Sequence, residues 1–189
     1  GARVNTLLGR KRVEEIEIGD RVLTRDNGYQ VVRWVGRRSF AMADLLVAPQ
    51  LCPVKIAAGA LGNGLPEADL IVSPQHRMLI EGSAAQLLFG EGEVLAAALH
   101  MVGREGISRL GPCAVDYVHL MFDAHEIICA NGAWSESFQP ADRMLAAMDA
   151  AQRDEIAAIF PDLLTSATDY PAARLTLKAY EAKVLLSAA

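Results

Sequence analysis

Two Asn-Gly pairs, Asn27-Gly28 and Asn131-Gly132, each lie between short runs of β-branched and apolar residues. Both residues of such a pair tolerate positive φ, which a tight two-strand turn demands, so each pair predicts a β-hairpin. The same texture fills residues 1–138. The runs 3–8, 20–25, 29–40, 54–58, 70–73, 77–80, 86–89, 117–122, 126–130 and 133–138 each read as a strand, with Gly and Pro between them. The run 95–101 suits a strand or a short helix, since its periodicity does not decide. Many short strands without long helices predict a mainly β domain with a closed or half-closed sheet.

The character changes after residue 138. Residues 141–150, 152–160 and 172–186 have helical spacing, with Pro171 opening the last stretch at a first-turn position. Leu175, Tyr180 and Val184 fall near one face of that helix, with Lys178 and Glu181 toward the other. The expected organisation is a β domain over 1–138 with a small helical appendage, 139–189, packed on it. A partner-binding helical module is the other reading of that tail.

The 189 residues are 52% apolar and 22% charged, enough to bury a core and unlike a disordered chain. A net charge of −5 leaves no basic footprint for nucleic acid, and no apolar run approaches the ~20 residues of a spanning helix. Neither nucleic acid nor membrane insertion is therefore expected, and the oligomeric state is not readable. Cys52, Cys113 and Cys129 are far apart and form no CxxC, so they read as small buried hydrophobes, not disulfide partners or zinc ligands. The glycine-dense stretch 59–64 is not a phosphate loop and reads as a turn. No cofactor and no metal is expected. The chain opens at Gly1-Ala2-Arg3 without an initiator Met, which reads as a fragment or a processed product.

The candidate chemistry lies in the histidines His76, His100, His119 and His125. His76 closes Ser73-Pro74-Gln75-His76, where the rigid Pro can set a hydroxyl and an imidazole on one side. That pair could address a carbonyl or an amide; a satisfied edge-strand histidine is the plainer alternative. His119 and His125 would share a face of one continuous strand, but Asp123-Ala124 is expected to bend the chain between them.

These residues carry a resemblance. The run Ile18-Gly19-Asp20-Arg21-Val22-Leu23-Thr24 resembles the first block of Hint domains, the self-processing modules of hedgehog proteins and inteins. Ser73-Pro74-Gln75-His76 is similar to their Thr-x-x-His block. The stretch from Val118-His119-Leu120 through Asp123-Ala124-His125-Glu126-Ile127 to Asn131-Gly132 is similar to their last block. Residues 58–62 and 160–163 further resemble a bacterial stand-alone branch. The resemblance implies a horseshoe-like, pseudo-twofold β fold whose reactive centre receives the start of the domain. It also implies that the substrate is the domain's own upstream polypeptide. A Cys or Ser at the domain start attacks the preceding carbonyl, and water or a second nucleophile resolves the resulting ester or thioester.

On this sequence the resemblance assigns His76 to protonating the departing amide nitrogen and Ser73 to fixing the scissile carbonyl or the imidazole. His119 falls where inteins often carry an Asp, and would serve as base or second acid. His125 and Asp123 are supporting residues. Two departures follow. The nucleophile would lie a few residues before Gly1, so the 189 residues alone are expected to be inactive. Glu136-Ser137 also stands where inteins carry His-Asn, which argues against full splicing and for N-terminal cleavage alone. The family association further suggests export of the parent protein. The alternative is a non-catalytic β-rich binding or accessory module. The two readings differ in geometry: only the first needs Ser73, His76 and His119 to converge near the N-terminus.

Overall fold

The computed structural model describes residues 1–139 and 171–188, and the statements below concern those residues. The first two strands, β1 (Arg3–Thr6) and β2 (Gly9–Arg12), form an antiparallel ribbon, as do β3 (Arg21–Thr24) and β4 (Gly28–Val31). Gly28 closes the second ribbon at φ 63°, as the Asn-Gly pair predicts.

The single strand expected over 29–40 is two. Backbone N–H of Val32 donates to Asp20 O and that of Arg33 to Met121 O, so these two residues hand the chain from one sheet to another. Strand β5 (Trp34–Phe40) then leaves for a separate ribbon, followed by helix α1 (Met42–Val47). Next come β6 (Val54–Ile56), β7 (Leu70–Val72) and β8 (Arg77–Glu81).

The run 86–89, expected as strand, lies in helix α2 (Ser83–Phe89), which Gly90 ends in the left-handed conformation at φ 73°. Only Ala85 of this helix is buried and Leu87 is largely exposed. A short apolar run does not separate strand from helix by pattern alone. The ambiguous run 95–101 is both: β9 (Glu93–Ala97) passes directly into α3 (Ala98–Met101). The remaining strands of the β domain are β10 (Ile107–Arg109), β11 (Val115–Met121), β12 (Ile127–Ala130) and β13 (Ala133–Glu136). Between the last two, Asn131 at φ 49° and Gly132 at φ 79° make a two-residue turn with both central φ values positive.

The tail departs most from expectation. A short strand, β14 (Leu175–Thr176), precedes helix α4 (Ala179–Ala188), so the helix expected from residue 172 begins seven residues later. The exposed edge of β9 explains the change. Leu175 and Thr176 pair in parallel with Val94 and Leu95, which satisfies backbone groups that a helix would have taken away. The buried face also differs: Leu177, Ala182 and Leu185 pack on Ala85, Val94 and Ala96, while Tyr180 and Val184 face outward. The helices expected over 141–150 and 152–160 lie outside the described residues.

One large sheet runs β14-β9-β8-β13-β12-β1-β3-β4, with β2 beside β1. A three-stranded sheet, β10-β6-β7, and the two-stranded ribbon β11-β5 complete the architecture. It is mainly β with a short C-terminal helix, as the strand-and-turn pattern predicted. Val54, Ile56, Leu70 and Met78 centre one core cluster. Val4, Ile16, Val22, Val32, Leu120 and Phe122 centre another, beneath the first strands. Among the described residues no helix is long and apolar enough to cross a membrane.

Candidate functional site

The two core clusters leave a cavity of about 450 Å³ between them, lined by residues from Gly1 to Phe138. Gly1, Ala2 and Val4 form one wall, Ser73 and His76 a second, and His119, Glu136 and Phe138 a third. The first strand is held there by the Asn131 turn. Arg3 N–H donates to Asn131 Oδ1 at 2.7 Å, and Asn131 N–H donates to Arg3 O at 2.9 Å. Asn131 Nδ2 donates in turn to Ala68 O and Asp69 O, tying that turn to the approach to β7.

The Ser73-Pro74-Gln75-His76 turn is equally fixed. His76 N–H donates to Ser73 O, Leu99 N–H to Pro74 O and Ala98 N–H to His76 O. The start of α3 therefore clamps the turn from behind, and Ser73 and His76 line the cavity. Ser73 is 3% exposed, and its Oγ has no hydrogen-bond partner among the described residues. A buried hydroxyl in that state retains its full capacity to bind a group entering the cavity.

His119 reaches the cavity from β11, opposite Gly36 of β5. Its ring stands edge-on to His76, with centroids 6.5 Å apart, and edge-on to Phe138 at 5.6 Å. Burial pushes the His119 pKa down to about 3, helped by the neighbouring His76 and opposed by Glu136. Burial also lowers the His76 pKa. Glu136 opposes that shift, and Arg77 and His125 add to it. Both imidazoles are thus neutral near pH 7, and burial makes each a weaker base than free histidine. An imidazolium formed at either position is a stronger acid than free histidine.

Behind His76 lies a buried ionic cluster. Pairing of Ser135 with Met78 sets β13 beside β8, and Glu136 then faces Arg77. Arg77 N–H donates to Glu136 Oε1 at 3.0 Å, and Arg77 Nη1 lies 3.1 Å from Glu136 Oε2. His125 Nε2 lies 3.4 Å from the same oxygen. His125 Nδ1 accepts the Ala173 N–H at 3.0 Å, which places the ring proton on Nε2, toward Glu136. Burial alone would raise the Glu136 pKa, but Arg77 and His125, with His76, hold it at about 2. The carboxylate is ionised throughout the neutral range.

Of the residues the sequence proposed, Ser73, His76 and His119 converge on one cavity together with Gly1. His125 is buried one layer behind, against Glu136. Asp123 is elsewhere: it pairs with Arg33 at 2.8 Å on the surface, its side chain 69% exposed. Arg77 and Glu136 were not proposed as site residues. Their one sequence signal is a charge at the start of one short, mostly apolar strand and an opposite charge at the end of another. None of the three cysteines lines the cavity, and Cys52 and Cys129 are buried in the core. Among the described residues no cluster of His, Cys, Asp and Glu could hold a metal ion.

The chain is similar to the solved gp41-1 intein, with 17% identity over 71% of this chain and 92% of that one, at a TM-score of 0.39. It is similar to the MchDnaB-1 intein, with 14% identity over 72% and 96%, at 0.42. A splice-inactive variant of the AceL NrdHF class 3 split intein gives 14% over 74% and 96%, at 0.46. No curated protein matches. The family model described as Hint domain matches residues 1–142, three quarters of the chain, and the chain therefore belongs to the Hint domain family.

Proposed function

We propose that this Hint domain cleaves the polypeptide joined to its own N-terminal side, by an N-to-S acyl shift that water or another nucleophile then resolves. The observation that carries the reading is the meeting of the first strand with Ser73, His76 and His119 in one cavity. A non-catalytic module has no need of that convergence.

The steps follow from the residues. A Cys thiol on the N-terminal side of Gly1 attacks the preceding peptide carbonyl, and its proton passes through His119, acting as a transient base, to the His76 imidazole. The Ser73 hydroxyl, unpartnered and facing the cavity, donates to the carbonyl oxygen as negative charge gathers there. His76, protonated in that way, passes the same proton to the amide nitrogen as the C–N bond breaks, leaving a thioester and a free amine. Hydrolysis then gives a carboxylate and regenerates the thiol; attack by a different nucleophile transfers the acyl group instead. Full splicing is not proposed, because Glu136-Ser137 offers no terminal Asn to cyclise. The three internal cysteines do not replace the thiol: none lines the cavity, and burial pushes the Cys129 thiol pKa up. Residues 1–189 alone are therefore inactive in this reading.

The domain division belongs to the same proposal: residues 1–138 carry the chemistry, and 139–189 support it. The test is single-turnover cleavage of the domain carrying its natural upstream residues. His76→Ala should slow the first-order rate by about 10²–10⁴-fold while the folded state persists. Unchanged kinetics would remove His76 from the mechanism.

A further inference from the structure

The buried cluster behind His76 has no part in the steps above, yet it joins the cavity to the far end of the chain. Resting on the self-cleavage reading, we propose that Glu136 is a positioning residue for His76. The C-terminal segment, residues 171–177, completes the site by fixing His125 against that carboxylate.

Three observations carry this. First, Glu136 accepts the backbone N–H of Arg77, the residue next to His76, so the carboxylate holds the main chain on which the imidazole is mounted. Second, Arg77, His125 and Glu136 are 3%, 4% and 7% exposed. Burying an ion pair costs a desolvation penalty that the pairing must offset, and well-packed apolar residues often do as well for stability. A charged cluster kept beside a reactive cavity is better explained by what it sets there. Third, the C-terminal segment is anchored immediately beyond Ala173. Arg174 pairs with Glu93 and Asp26, each at 2.7 Å, and Leu175 and Thr176 join the edge of β9. The Ala173 N–H is thereby aimed at His125 Nδ1 and dictates which ring nitrogen carries the proton.

The charged and titratable groups facing Glu136 are Arg77 on β8, His76 on the preceding turn and His125 ahead of β12, with His119 on β11 across the cavity. The carboxylate opposes the drop in the His76 pKa. Removing its charge should thus lower the pH at which His76 titrates.

The experiment is NMR of the imidazole nitrogens and Cε1 protons in the full chain, with cleavage rates of the same chain carrying its natural upstream residues. Wild type should show His125 protonated on Nε2. Glu136→Gln should lower the His76 titration midpoint and slow cleavage by about 10²-fold, as a misplaced catalytic group does; Glu136→Asp should restore the midpoint. Ala173→Pro, which lacks the N–H, should release the His125 tautomer and slow cleavage, whereas Ala173→Ser should do neither. A wild-type His125 protonated on Nδ1 would overturn the proposal even if no variant folds. So would a His76 midpoint indifferent to Glu136→Gln, or a His125 tautomer indifferent to Ala173→Pro. If the wild-type domain does not cleave while the tautomer and midpoint behave as expected, the self-cleavage reading fails and the electrostatic link between tail and cavity stands.

Discussion

His119 sits in a neutral state that acid must disrupt. Its folded pKa of about 3 lies below the 6.5 of the unfolded chain, so between those values the unfolded state binds more protons. Its contribution is complete above pH 6.5 and is lost as pH falls toward 3. Glu136, held at about 2 against an ordinary 4.5, follows in a lower window: its contribution is complete above 4.5 and is lost as pH falls toward 2. Urea midpoints measured from pH 7 to pH 5 should therefore decline in wild type and decline less steeply in His119→Asn; equal slopes would contradict the assignment. At this scale the sequence was informative where a residue type is rare. Four histidines and a rigid Pro turn drew attention to Ser73 and His76, and the resemblance to Hint domains was needed to assign roles to them and to His119. Glu136 and Arg77 were hidden because Glu and Arg are ordinarily solvated, and only pairing across β8 and β13 reveals that these two are buried together.

Among the elements, the Asn131-Gly132 hairpin does more than reverse the chain. Its Asn side chain spans from β1 to the residues ahead of β7, and its left-handed backbone suits Asn or Gly. Asn131→Ala removes those part-buried hydrogen bonds and puts a β-carbon residue less suited to positive φ at the turn. We expect a loss of about 1–3 kcal/mol in chemical denaturation, together with looser seating of the first strand, read as faster amide exchange at Arg3. A loss within experimental error would mean that the first strand is held by other contacts. This hairpin was legible because Asn-Gly encodes positive φ locally. The 29–40 bend and the α2 helix were not. The bend depends on the Met121 carbonyl supplied from the distant strand β11, and the α2 run carries too few residues for its period to show.

On the scale of the molecule, the two ends of the chain meet at opposite faces of one polar core: Gly1 at the cavity and Ala173 behind His125. Local propensity for helix from residue 172 gave way to the open edge of β9, a tertiary effect no window of sequence contains. Leu185, 1% exposed against Ala85, Val94 and Ala96, anchors that tail. Leu185→Ala should cost about 2–5 kcal/mol by urea unfolding, and a cost under 1 kcal/mol would show the tail to be loosely attached. The claim on which the account turns is that folding delivers the upstream peptide bond to Ser73, His76 and His119. Mass spectrometry of the domain with its natural upstream residues, incubated with a strong thiol, tests it directly. The account predicts an upstream fragment bearing the thiol as a C-terminal thioester, or its hydrolysed carboxylate, in wild type and its near-absence in His76→Ala. An intact wild-type chain after prolonged incubation would contradict it.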